Sequence, residues 1–146
     1  MPTVLLVDDD LDSLWPIQLA LEGRGHHVVM AGNGQDALDK MARRSIHLVV
    51  TDWEMPEVDG VELCRQLRRH LHTAHLPIVL LSAEPEPSDG RRNWSLFFRK
   101  PVDPVVLLEH IDVLLAGRLT RGSGHAGART MVPAPRWPGI DARCWP

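Results

Sequence analysis

VVTDWEMPEVDG, residues Val49 to Gly60, passes from hydrophobic to acidic within a few positions. Val49 and Val50 read as strand buried on both faces, Asp52 follows at its end, and Pro56 and Gly60 mark a turn. Asp59 with Glu62 three residues on resembles a capping box, so the stretch reads as strand, loop and helix start. A carboxylate where a buried strand stops is a cap, a metal ligand or a reacting group. The rest of the chain has to choose.

Outward from this stretch the same unit repeats. TVLLVD (Thr3–Asp8), HVVMA (His27–Ala31), HLVVTD (His47–Asp52), PIVLLS (Pro77–Ser82) and LFF (Leu96–Phe98) are short, continuous apolar runs rich in Val and Leu. Strands of a parallel sheet covered by helices have this composition. Between and after them lie helix-period segments: SLWPIQLALEGR, GQDALDKMARR, GVELCRQLRRHL and PVVLLEHIDVLLAG. Asp103 with Pro104 supplies a cap and a first-turn proline, and Gly117 suits a helix stop. The rhythm predicts an α/β, doubly wound domain with five parallel strands. Two places break it. Pro16 sits inside the first helix pattern, so that helix starts at Asp12 or bends near Pro16. Between Ala83 and Ser95, where a fourth crossover helix belongs, Pro85, Pro87 and Gly90 leave room for one short turn.

The chain of 146 residues is 44% hydrophobic and 24% charged, enough for one domain with a core and a remainder. Its net charge of −3 divides unevenly. Residues 1–116 carry 11 bases against 18 acids, a net −7, whereas residues 117–146 carry five arginines against Asp141, a net +4. Residues 1–117 are expected to form the domain, and residues 118–146, rich in Gly, Pro and Arg, an unstructured tail. No apolar run approaches the ~20 residues of a membrane span. The start MPTVLLVDDD lacks the basic flank of a signal peptide. Cys64 and Cys144 do not make a disulfide framework, and a cytoplasmic location with no membrane contact is expected.

If the strands are parallel, their carboxyl ends collect Asp8, Asp9 and Asp10, then Asp52, then Ser82, then Lys100 and Pro101. Carboxylates that close stay ionised together only around a cation. Hard oxygen ligands suit Mg²⁺. A lysine and a hydroxyl beside such an ion form a receptor for a tetrahedral dianion, and an aspartate among them can accept a phosphoryl group.

LLVDDD, VVTDWEMPEVDG, PIVLLSA and FFRKP, in this order and spacing, resemble the receiver domain of bacterial two-component response regulators over roughly residues 2–116. The resemblance implies a CheY-like, flavodoxin-like sheet of order 2-1-3-4-5. It further implies a signalling phosphoacceptor that promotes its own phosphorylation and dephosphorylation and is not an enzyme acting on outside substrates. Asp52 would be the phosphoacceptor. Asp9 would ligate Mg²⁺ directly with Asp52 and the backbone carbonyl of Glu54, and Asp8 would hold the ion through water. Ser82 would be the switch hydroxyl, Lys100 the charge partner aimed by a cis bond to Pro101, and Phe97 the switching aromatic. The implied partners are a histidine kinase or phosphotransfer protein and an unknown downstream protein. The shrunken fourth helix departs from the family and bears on how a signal leaves the domain. It keeps a second reading open, a degenerate interaction module that works without phosphorylation.

Other features have plainer readings. Asp10 and Asp12 read as caps or solvated acids, and DDDLDS lacks the glycine and final glutamate of a calcium loop. His70, His72 and His75 straddle a helix end and read as solvated, Arg68 and Arg69 suit the negative end of that helix's dipole, and Cys64 reads as a small apolar core group. Trp137, Trp145 and the tail arginines are too proline-broken for a nucleic-acid-binding helix, so direct binding to nucleic acid is not expected. Glu54 and Glu84, two residues beyond Asp52 and Ser82, are expected on the rim of the pocket, where they repel an anionic donor.

Overall fold

A computed structural model describes residues 2–88 and 92–122, the side chains only as far as residue 117. Strands β1 (Thr3–Val7), β2 (His27–Ala31), β3 (Leu48–Asp52), β4 (Ile78–Ser82) and β5 (Leu96–Arg99) pair in parallel as one five-stranded sheet of order β2-β1-β3-β4-β5. Helices α1 (Trp15–Gly23), α2 (Gly34–Arg43), α3 (Gly60–Arg69) and α4 (Pro104–Gly122) cover both faces, and a 3₁₀ turn (Leu11–Leu14) precedes α1. This is the doubly wound architecture that the apolar runs imply.

Alternation along the strands divides the core. Val4, Leu6, Leu48, Val50, Val79, Leu81 and Leu96 point to the face covered by α1 and α4, where Leu21, Leu107 and Ile111 meet them. Leu5, Val7, Val49, Ile78 and Leu80 point the other way, onto Ala37 of α2 and Leu63 and Leu67 of α3. Burying one such leucine contributes roughly 2–3 kcal/mol. Both faces of the central strands are used, which is why their apolar runs stay unbroken until Thr51 and Asp52 in β3 and Ser82 in β4.

Capping follows the sequence with three differences. Asp59 accepts a hydrogen bond from Glu62 N (2.8 Å), but the Glu62 carboxylate meets Arg65 and Gln66, so only half of the capping box forms. Pro16 neither bends nor breaks a helix: the 3₁₀ turn ends at Leu14, and the proline falls in the first turn of α1, where its missing N–H has no helical partner to lose. Gly117 does not stop the last helix, which continues to Gly122; the expected tail from 123 onward lies outside the described residues. Asp103 caps this helix as expected, accepting from Val105 N (2.9 Å).

Among the described residues no helix lies between β4 and β5. Residues 83–88 and 92–95, the strap, are irregular chain. Trp94, 4% exposed, plugs the core cluster on the α3 side, and its indole N–H donates to Glu86 Oε2 (2.8 Å), which also faces Arg92 Nε (3.3 Å). From below, Arg68 donates to the carbonyls of Asn93, Ala74 and Leu76 (2.8, 3.0 and 2.6 Å). Its role therefore exceeds the dipole contact read from the sequence: it ties the loop after α3 to the strap.

Candidate functional site

The sheet reverses its winding between β1 and β3, and the crevice of a doubly wound sheet opens there, beyond the carboxyl ends of the strands. Val7 pairs with Thr51, so the next residues, Asp8 and Asp52, emerge side by side. Backbone bonds continue past the strand ends and fix their aim: Asp8 N donates to Ala31 O (3.1 Å), Trp53 N to Leu81 O (2.8 Å) and Lys100 N to Ser82 O (2.8 Å). The loop after Asp52 turns back tightly. Gly60 N donates to Trp53 O (2.9 Å), which brings the start of α3 up behind the end of β3.

Four expected residues meet in that crevice. Lys100 Nζ lies 2.9 Å from Asp52 Oδ1 and 3.7 Å from Asp8 Oδ2. Asp52 is 5% exposed, and its Oδ1 makes an ion-pair contact but has no donor in hydrogen-bonding alignment. Asp8 is held rigidly: its Oδ1 accepts from Asp10 N (3.0 Å) and its Oδ2 from Ser13 Oγ (2.9 Å). Asp9 is exposed at the mouth, with a carboxylate oxygen in the same group. Asp10 caps the 3₁₀ turn by accepting from Asp12 N (3.2 Å), and His70, His72 and His75 are exposed, as the sequence suggested.

Burial dominates the electrostatics. Loss of water pushes the Asp52 carboxyl up to about 6; Lys100 opposes the rise, and Asp8 and Glu54 add to it. Burial alone pulls the Lys100 ammonium down, yet its contacts with Asp52, Asp8 and Glu54 outweigh this and hold it above the ordinary lysine value. A buried carboxylate that resists ionisation beside two others is the electrostatic signature of a site that gains from a cation.

The donor set fits Mg²⁺. Oxygens of Asp8, Asp9 and Asp52 all lie within 4.8 Å of one another. Ligand oxygens across an octahedral Mg²⁺ stand about 4.2 Å apart, twice the usual bond length, so modest side-chain movement would suffice.

Ser82 is fully buried at the end of β4. Its hydroxyl accepts from Glu84 N (2.9 Å) and donates to Glu54 Oε2 (2.5 Å). That second bond, and the grip of Ser13 on Asp8, could not be read from spacing, since Glu54 and Ser82 lie on different strand ends and Ser13 only forms part of an acidic run. Phe97 is half-buried and packs in the cluster that holds Trp94, on the α3 side of β5. The Lys100–Pro101 peptide is cis.

Comparison with known proteins gives a family and the same fold. The family described as response regulator receiver domain matches residues 4–112. Protein PilH of Pseudomonas aeruginosa is 31% identical over 121 residues, covering 80% of this chain and 100% of PilH. The transcriptional regulatory protein AfsQ1 of Streptomyces coelicolor is 38% identical over 89 residues, covering 61% of this chain but 38% of AfsQ1. Among solved structures, a sensor protein from a Polaromonas species superposes with a TM-score of 0.74 at 30% identity, covering 80% of this chain and 97% of that one. Chemotaxis protein CheY4 of Vibrio cholerae shares the fold with a TM-score of 0.69 at 24% identity, covering 78% of this chain and 98% of CheY4.

Proposed function

This chain belongs to the response regulator receiver domain family, and from that premise we propose that Asp52 accepts a phosphoryl group from a histidine kinase or histidine phosphotransfer protein. An Asp52 carboxylate oxygen attacks phosphorus, the bond from phosphorus to the donor's imidazole nitrogen breaks, and an acyl phosphate forms. Hydrolysis by water later restores the carboxylate. Asp8, Asp9 and Asp52, with the carbonyl of Glu54, would hold Mg²⁺, which would supply charge neutralisation to the transferring group. Lys100 places its ammonium on a phosphoryl oxygen, and Ser82 donates its hydroxyl to another. Phe97 then reads the position of Ser82.

The observation that carries this reading is the convergence of Lys100 on both Asp52 and Asp8, 2.9 and 3.7 Å away, at the edge where β1 and β3 diverge. A cytoplasmic protein that signals by contact with another protein fits it; among the described residues no helix is long and apolar enough to cross a membrane. Leu11, Trp15 and Leu19 are exposed at every fourth position from the 3₁₀ turn along α1, beginning two residues after Asp9. This apolar stripe, which starts from the loop that carries Asp8 and Asp9, is where the donor protein docks in this reading.

The test is intact mass after incubation with acetyl phosphate and Mg²⁺. A gain of one phosphoryl group, absent in Asp52→Ala, supports the reading. No gain with a competent donor would favour the second one, a module that binds partners without phosphorylation, for which the strap in place of a helix between β4 and β5 speaks.

A further inference from the structure

The Ser82 hydroxyl carries a single proton, and in this structure it is given to Glu54. The donor–acceptor distance is 2.5 Å, and the lone-pair side of the same oxygen takes Glu84 N at 2.9 Å. Ser82 is fully buried, and its one donor is committed to Glu54. Glu54, by contrast, is exposed and rooted in the loop two residues after Asp52, free to leave toward solvent.

We propose that Glu54 is a positioning residue that clasps the switch hydroxyl at rest: its carboxylate takes the place of the phosphoryl oxygen on Ser82 and must be displaced when Asp52 is phosphorylated. This rests on Asp52 as the acceptor, and it differs from simple repulsion at the rim. Repulsion acts on the incoming dianion whatever residue stands at position 82. A clasp acts through Ser82, exchanging one anionic hydrogen-bond acceptor for another, so that the hydroxyl's contribution to the phosphorylated state is offset by the contact it gives up. The resting and phosphorylated forms then differ in which group at the end of β3 holds Ser82, the Glu54 carboxylate or the phosphoryl group on Asp52, and the chain starts from a state in which its switch hydroxyl is already engaged.

The experiment is a double-mutant cycle on the full chain with beryllofluoride and Mg²⁺ as the probe, read by titration of Trp53 fluorescence. Glu54→Ala should tighten beryllofluoride binding about tenfold in the Ser82 background, the scale of one hydrogen bond to a charged group. In the Ser82→Ala background the same substitution should change affinity less than about twofold. Glu54→Gln, which keeps an acceptor without the charge, should fall between. Equal gains in both backgrounds would overturn the clasp in favour of rim repulsion, and no gain in either would overturn both. A wild-type response that persists in Asp52→Ala would instead sink the acceptor assignment itself, which is how the two failures are told apart.

Discussion

Gly60 stands directly behind the carbonyl of Asp52: a Cβ at position 60 would lie 2.2 Å from Asp52 O and 2.9 Å from the Cα of Trp53. Both obstacles are backbone, so neither can rotate aside. The close approach lets α3 start beneath the end of β3 and fixes the direction in which Asp52 leaves the sheet. Gly60→Ala is expected to cost about 3 kcal/mol, at the upper end of overpacking in a core. Urea denaturation should show the loss, and the folded fraction should label poorly with acetyl phosphate because the acceptor is displaced. An unchanged midpoint would mean that the loop absorbs the methyl group.

Three residues earlier the same loop contains strain that can be relieved. Glu57 has φ of 65°, in the left-handed region that costs an L-residue about 1–2 kcal/mol. Its side chain is exposed, so little is lost by removing it. Glu57→Gly removes the strain at an unfolded-state entropy cost of up to about 1 kcal/mol. The expected result is a small net gain, about 0.5 kcal/mol, seen as a higher midpoint in urea. Glu57→Ala, which keeps the Cβ, should show no such gain.

The pH dependence of stability should report on Asp52. Its carboxyl is raised from 3.8 to about 6, chiefly by burial. Since the folded value lies above the ordinary one, ionisation favours the unfolded chain. The stabilising contribution of the protonated group is complete below pH 3.8 and disappears as pH rises through about 6. Without divalent ions, Asp52→Asn should therefore be more stable than wild type at pH 7.5 by about 1 kcal/mol, after allowing for the lost Lys100 contact, and no more stable at pH 3.5. Added Mg²⁺ should raise the melting temperature of wild type at pH 7.5 and raise that of Asp52→Asn less. Equal responses of the two proteins would argue against Asp52 as a ligand.

Trp15 offers a way to separate docking from chemistry. It is 60% exposed and belongs to the stripe with Leu11 and Leu19, while no site carboxylate depends on it. Trp15→Ala is expected to slow phosphoryl transfer from a protein donor about tenfold or more, in the range of an aromatic anchor lost from an interface. Labelling by acetyl phosphate, which needs no docking surface, should stay at the wild-type rate. If both rates fall together, Trp15 supports the fold of the site and not an interface.

How much of this was legible depends on whether a feature is local. The strands could be read because burial on both faces leaves an unbroken Val and Leu signature, and the convergence of Asp8, Asp52, Ser82 and Lys100 followed once the strands were taken as parallel. Asp59 and Asp103 could be read as caps because a cap and its amide are two or three residues apart. The end of α4 could not: Gly117 is a permissive stop, and the chain simply continues as helix to Gly122. Arg68 was underread because its carbonyl partners lie on loops up to 25 residues away, brought together only by the fold. The Glu54–Ser82 bond spans 28 residues and depends on the loop geometry after β3, which no periodicity encodes.

The strap between β4 and β5 stands where the strand–helix rhythm of the sequence calls for a helix, and Trp94 anchors it. The indole is 4% exposed within the cluster against which Phe97, the candidate switch aromatic, also packs. Trp94→Ala should cost about 3–5 kcal/mol, the scale of a large aromatic removed from a core. Trp94→Phe keeps most of the apolar contact but leaves Glu86 without the indole N–H, and should cost closer to 1 kcal/mol beyond the smaller ring's lost volume. Urea midpoints with unchanged m-values check both numbers. Phosphorylation of Trp94→Phe by acetyl phosphate should proceed at the wild-type rate, because the one carboxylate that Trp94 bonds is Glu86, not Asp8, Asp9 or Asp52. If Trp94→Ala is as stable as wild type, the strap is not held by this residue.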